Sequence, residues 1–214
     1  MEASEIKTKA LLLSLATVAC IEVITRIVIS KNRYDPMVIL GAARFLETSF
    51  IILIVMTLGK GVSSIGLTPS TMLHGLKKGL IWSAAFALAT FIAFLALFLF
   101  DINPLDLIHT RLPEDVNKII LFFFIGGLLG PIAEEVFFRG MLYGFFRRWG
   151  VLVAVILSTL IFVLAHPVFP NIPVTQVVGG VVFALAYEIE KNLMVPVTIH
   201  VLGNMAIFSL SLIR

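Results

Sequence analysis

Residues Gly130-Pro131-Ile132-Ala133-Glu134-Glu135-Val136-Phe137-Phe138-Arg139-Gly140 set two consecutive carboxylates and an arginine inside an apolar run that extends from Asn117 to Arg147. A spanning helix needs about 20 mostly apolar residues, so the run reads as a transmembrane helix with charges near its middle. An ionisable side chain there costs about 2.5–3.5 kcal/mol on insertion scales, which makes each one a functional candidate. Successive helical residues are about 100° apart, so Glu134 and Glu135 are expected to face different partners. Arg139, four residues after Glu135, is expected to pair with it along one face. Glu134 is then the carboxylate without a cation, directed at another helix, and general acid–base chemistry uses such a group. Gly126/Gly130 and Gly140/Gly144 are each four apart and are expected to let two neighbouring helices approach closely. Pro131 is expected to loosen or kink the helix one turn before Glu134.

The rest of the chain has the same character. Hydrophobic residues make up 59% of the 214 residues and charged residues 14%, against roughly 45–50% and 25% in soluble domains. A water-bounded domain of this size cannot bury that much apolar surface, and a mean hydropathy of +1.06 points to a bilayer as the solvent. The net charge of +3 comes without any basic run longer than two residues, which argues against a nucleic-acid partner. The single cysteine, Cys20, excludes an intrachain disulfide and a cysteine-built zinc site.

Seven apolar stretches are read as helices: Lys9–Ser30, Met37–Leu58, Leu76–Phe100, Asn117–Arg147, Val151–His166, Val174–Glu190 and Leu193–Leu212. The fold class is therefore all-α, a polytopic membrane protein of about seven transmembrane helices. Thr17-Val18-Ala19-Cys20 faintly resembles a lipoprotein cleavage box, but the apolar run continues to Ile29, longer than a signal h-region. It is read as a retained helix. Thr68-Pro69-Ser70 looks like an interfacial helix start, with Lys77 and Lys78 able to snorkel.

Counting Lys and Arg on alternate sides places Lys7, Lys9, Lys60, Lys77, Lys78, Arg147, Arg148 and Lys191 together, and Lys31, Arg33, Arg111, Lys118 and Arg214 opposite. Eight against five favours a cytoplasmic N-terminus. Glu22 with Arg26, and Arg44 with Glu47, share helical faces by their spacing and are expected to be structural intramembrane ion pairs, with substrate gating as the other reading.

Two later helices offer partners for Glu134. His166 ends the fifth stretch, where Pro167 is expected to stop the helix, and His200 and Asn204 lie one turn apart on the seventh. His74 and His109 fall in expected surface regions. Measured along the helices, Glu134 lies ~20 Å from the Arg147–Arg148 end, His166 ~24 Å from Gly150, and His200 only ~12 Å from Asn192. The seventh helix must tilt or begin lower, or the orientation is reversed.

At these residues the sequence resembles the CPBP family, the CAAX proteases and bacteriocin-processing enzymes also called Abi. Its EExxxR motif is matched by Glu134, Glu135 and Arg139, its FxxxH motif by Phe162 and His166, and its HxxxN motif by His200 and Asn204, in order on separate apolar stretches. The resemblance covers roughly residues 117–212 and implies one membrane domain, with variable N-terminal helices and an interfacial segment over 1–116 and a catalytic core on helices 4, 5 and 7. It implies a glutamate-type intramembrane endopeptidase without metal or cofactor. Glu134 and His166 would activate water, His200 and Asn204 would stabilise the oxyanion, and Glu135, Arg139 and Phe162 would support them. The implied partners are the lipid bilayer and a membrane-associated or lipidated protein substrate, one option being a C-terminal processing signal. The small extramembrane mass suggests a prokaryotic cytoplasmic membrane. Two other readings stand beside this one. Glu134, His166 and His200 form a two-histidine, one-carboxylate set adequate for zinc, although no His-Glu-x-x-His motif is present. Intramembrane acids and histidines also occur in non-enzymatic immunity, adaptor or transport proteins.

Overall fold

The computed structural model describes residues 6–108, 110–166 and 173–213, and all regular structure among them is helical. Seven helices follow in order: α1 (Thr8–Ser30), α2 (Pro36–Leu58), α3 (Met72–Leu99), α4 (Val116–Trp149), α5 (Val151–Leu164), α6 (Val174–Glu190) and α7 (Met194–Leu212). The sequence-read stretches match these to within a few residues. His109, Arg214 and Pro167, with the stop expected of it, lie outside the described residues.

The helices α1, α2, α3, α4 and α7 are long and apolar enough to cross a membrane. With 14 and 17 residues, α5 and α6 fall short of that length. At 1.5 Å per residue they reach only about 21 and 26 Å, against a hydrocarbon layer of ~30 Å. Both are instead packed among the long helices, and the fold is that of a polytopic membrane protein. Its outer surface is apolar, as lipid demands: Leu73, Leu99, Leu152 and Ile156 are all exposed. On α3 the buried residues are Gly75 and Gly79, where the helix closes on Asn192 and Thr198 of the α7 side.

Helix α4 is not uniform. Its hydrogen bonding widens to an i→i+5 pattern over Ile125–Leu129 and again over Val136–Tyr143, leaving a short α-helical stretch, Gly130–Glu135, between them. Pro131 lacks an N–H and its ring crowds the carbonyl four residues back, and a widened turn relieves both. The expected loosening is therefore an expansion on each side of the carboxylates, a device that recurs at functional sites. The glycine expectation needs correction. Gly126 and Gly127 receive Phe208 and Met205 of α7, but Gly140 meets Ile65 of a 3-10 turn and Gly144 meets Ile6 ahead of α1, not neighbouring helices.

The basic ends converge. Arg148 Nη2 donates to the Ile6 carbonyl at 2.6 Å, and Glu188 accepts from Tyr143 at 2.6 Å, from Arg147 Nε and Nη2 at 2.9 Å each, and from Lys191 at 2.5 Å. Burial alone would push the Glu188 carboxyl up, but hydrogen bonds from Arg147, Lys191 and Tyr143 hold it at about 2. The Gly66 carbonyl accepts from Leu193 N at 3.0 Å, while the neighbouring Ile65 packs on Gly140. Helix α7 thus starts at the depth of Gly140, not at the basic end of α4. From there Glu134 is six residues along α4, ~9 Å, and His200 is seven beyond Leu193, ~10 Å. The late start of α7 accounts for the disagreement in depths.

Candidate active site

Glu134, His166 and His200 come from α4, the end of α5 and α7, and the structure brings them together. Glu134 Oε2 lies 3.9 Å from His166 Nε2 and 3.8 Å from His200 Nε2. The same oxygen is buried and has no hydrogen-bond partner. The far edge of each imidazole is tied down. His166 Nδ1 donates to the Phe162 carbonyl at 2.7 Å, and His200 Nδ1 is 2.8 Å from Glu135 Oε1. A carbonyl or an ionised carboxylate can only accept, so both rings carry their proton on Nδ1 and present Nε2 to Glu134.

The expectation that the two glutamates face different partners is overturned. Their side chains do diverge, but the His200 ring lies between them, and each carboxylate reaches a different ring nitrogen. The Glu135–Arg139 pair forms as expected, at 2.9 Å with both side chains fully buried. Arg139 Nη2 also donates to the Gly180 carbonyl at 3.2 Å, and its guanidinium lies 4.7 Å from the Phe162 ring and 5.2 Å from Phe183. Phe162, 2% exposed, therefore touches the arginine and, at 4.6 Å between centroids, His166. Asn204 Nδ2 donates to the Gly126 carbonyl at 2.9 Å, tying α7 to the first widened turn of α4, and its second amide hydrogen remains for a ligand.

Sequence reasoning missed two members of this shell. Phe183 stacks on His200 at 4.6 Å and 23° between planes. Gly180 supplies the carbonyl for Arg139, and a side chain there would meet Thr159. The Gly179-Gly180 pair, one turn before Phe183 in an apolar helix, is the signal that could have found them. The Glu22–Arg26 pairing also needs correction. Glu22 reaches across to Arg44 at 2.7 Å and Arg26 is exposed, while Arg44 pairs with Glu47 as expected, at 2.5 Å. A cross-helix partner wins because it satisfies both charges inside the bundle, where Arg26 does not point.

The three side chains are unequally covered. Glu134 and His166 side chains are 25% and 24% exposed, against 7% for His200, so an approaching chain meets the first two. Among the described residues no group of three or more His, Cys, Asp and Glu side chains is arranged to hold a metal ion.

Residues 116–206 match the family model described as type II CAAX prenyl endopeptidase Rce1-like. The membrane-embedded CAAX protease MroQ of Staphylococcus aureus (strain USA300) is 40% identical over 95 residues, which are 41% of this chain and 38% of that protein. The chain thus spans well under half the length of the relative it matches. No solved structure matches it significantly. The matched segment runs from the start of α4 into α7 and contains Glu134, Glu135, Arg139, His166, His200 and Asn204. Over that segment the chain is similar to the Rce1-like type II CAAX prenyl endopeptidases, in agreement with the CPBP motifs of its sequence.

Proposed function

We propose that the protein is an intramembrane endopeptidase that hydrolyses a peptide bond of a membrane-associated or lipidated protein, with Glu134 and His166 activating the water. The observation that carries this reading is the buried, unpartnered Glu134 Oε2, within 4 Å of two imidazole nitrogens from two other helices. Three acceptors converge there: a carboxylate oxygen and two bare Nε2 atoms. A water in that space donates to one or two of them and turns its lone pair outward, toward the exposed side.

The chemistry follows from the partners. Water attacks the scissile carbonyl carbon and Glu134 takes its proton as the C–O bond forms. The charge that develops on the carbonyl oxygen is met by the free amide hydrogen of Asn204 and by His200, whose Nε2, bare in the resting site, takes a proton from solvent on substrate binding and returns it on product release. The Glu135 carboxylate, 2.8 Å from Nδ1, stabilises that imidazolium, and its Nε2–H becomes a donor. When the C–N bond breaks, the proton held by Glu134, relayed by His166, passes to the leaving amine. The products are a carboxylic acid and an amine, which exchange a proton and leave as carboxylate and ammonium.

The substrate class is drawn from the relatives, whose names carry CAAX and prenyl. A prenylated C-a-a-X terminus is the first substrate to test, with other C-terminal processing signals next. The test is cleavage of an internally quenched peptide ending in farnesylated Cys-Val-Ile-Met by the purified protein, alongside proteomics of wild-type and Glu134→Ala cells. Glu134→Gln is expected to abolish cleavage of any verified substrate. A wild-type rate from that variant would overturn the assignment of the base.

A further inference from the structure

Arg44 joins two helices. Its Nη2 donates to Glu22 Oε1 on α1 at 2.7 Å, and its Nη1 donates to Glu47 Oε2 one turn along α2 at 2.5 Å. Two features go beyond what a helix staple requires. Glu47 is 3% exposed and its Oε1 has no partner. The Arg44 and Glu22 side chains, by contrast, stay 24% and 30% exposed, although both sit well inside their apolar helices. Intramembrane charges face the bundle interior or a polar cleft, and they mark pathways.

The cluster also stands beside the candidate site. Gly41 packs on Ile125, while Gly59 at the other end of α2 shares a cavity wall with Ile6, which packs on Gly144. Helices α2 and α4 therefore run in the same direction. From the Gly41–Ile125 contact Glu47 lies six residues on, ~9 Å, and Glu134 nine residues on, ~13.5 Å. They are within one helical turn in depth. Helix α2 packs directly against the Gly130–Glu135 stretch of α4 that carries Glu134.

A peptide bond open to attack at Glu134 lies in an unwound stretch of chain. In hydrocarbon each of its backbone N–H and C=O groups needs a partner, because water is not there to supply one. We propose that the Glu22–Arg44–Glu47 cluster is the docking site for this extended substrate backbone, Arg44 donating to a substrate carbonyl and Glu22 accepting a substrate N–H. The inference rests on the protease reading above. Arg44 has five N–H donors, of which two are used, and Glu22 keeps one free oxygen. The two acids outnumber the base, so the cluster repels acidic substrate side chains at this point and accepts neutral or basic ones.

The test uses the full chain in nanodiscs and the farnesylated quenched peptide named above. Glu22→Gln is expected to raise KM about tenfold with kcat within about twofold of wild type. Arg44→Gln is expected to do the same and Arg44→Lys to recover part of the loss, while Arg26→Gln, on the exposed face of α1, leaves KM unchanged. Because Arg44→Gln also unpins α1 from α2, the near-isosteric Glu22→Gln decides. An unchanged KM in Glu22→Gln, or a fall in kcat at constant KM, overturns the proposal. A second arm measures anisotropy of a dye-labelled form of the peptide on Glu134→Gln protein with and without Glu22→Gln. Weaker binding in the double variant supports docking even where the assignment of the base fails. Equal binding sinks docking and leaves the base untouched.

Discussion

Glu135 Oε1 stands 2.8 Å from His200 Nδ1 and, through the same oxygen, 2.9 Å from Arg139 Nη1. One buried carboxylate therefore both orients an imidazole and neutralises a guanidinium. Removing either partner leaves an uncompensated charge in the bundle, which costs about 3–5 kcal/mol, whereas replacing both with neutral groups of similar volume is often tolerated. Arg139→Met is expected to lower thermal stability sharply. Adding Glu135→Gln is expected to restore most of that stability while activity stays lost, because His200 no longer has a carboxylate to stabilise its charged form. Melting curves and turnover on the same samples check this, and recovery of both together would reduce the pair to a structural role.

Asn204 spends one amide hydrogen on the Gly126 carbonyl and keeps the second, which the proposed reaction uses on the oxyanion. Asn204→Ala is expected to cost on the order of 100–1,000-fold in kcat, the range seen when an oxyanion donor is removed. The lost Gly126 bond is expected to cost only about 1 kcal/mol of stability. Asn204→Asp, which cannot donate when ionised, is expected to be equally slow. A kcat within threefold of wild type for either variant would remove Asn204 from the chemistry.

Acid sensitivity is expected at the basic end of the bundle. Glu188 is held at about 2 against its ordinary 4.5, so the folded state prefers its ionised form. Its contribution is complete above the ordinary carboxylate range and is lost as pH falls from there toward 2. Glu188→Gln is expected to lower the melting temperature at neutral pH and to flatten the decline between those limits. Melting temperature against pH for both proteins reads this directly, and parallel curves would contradict it.

Helix α3 depends on two missing side chains. A methyl group at Gly79 would lie 2.5 Å from Thr198 Cβ, and one at Gly75 would strike the Asn192 amide. Gly79→Leu is expected to destabilise the protein by about 1–3 kcal/mol or more through overpacking and to loosen α3 from α7. A cysteine pair engineered across the two helices would cross-link less readily in the variant, and wild-type cross-linking would argue against the close approach.

Chelation separates the proposed reaction from a zinc-dependent one. Prolonged dialysis against a strong chelator is expected to leave turnover unchanged. A stoichiometric metal whose removal abolishes cleavage, and whose return restores it, would assign Glu134, His166 and His200 as ligands instead.

The amino-acid sequence by itself determined the solvent, the helices and the order of the motif residues. Each of these is a local property: hydropathy over about 20 residues picks out a span, and a fixed spacing such as Glu135 to Arg139 forces two side chains onto one helical face. The expectation failed where the choice of partner was not local. Glu22 could pair with Arg26 by spacing, yet it takes Arg44 from the next helix. Glu134 and Glu135 diverge, yet both reach His200. Phe183 and Gly180 had only the Gly179-Gly180 pair to mark them, and a glycine pair does not say which side chains it admits. Only the tertiary structure decided these, together with the late start of α7 that brings His200 level with Glu134. Spacing along a helix sets the direction in which a side chain leaves, whereas the group it meets depends on the depth and rotation of helices distant in the chain.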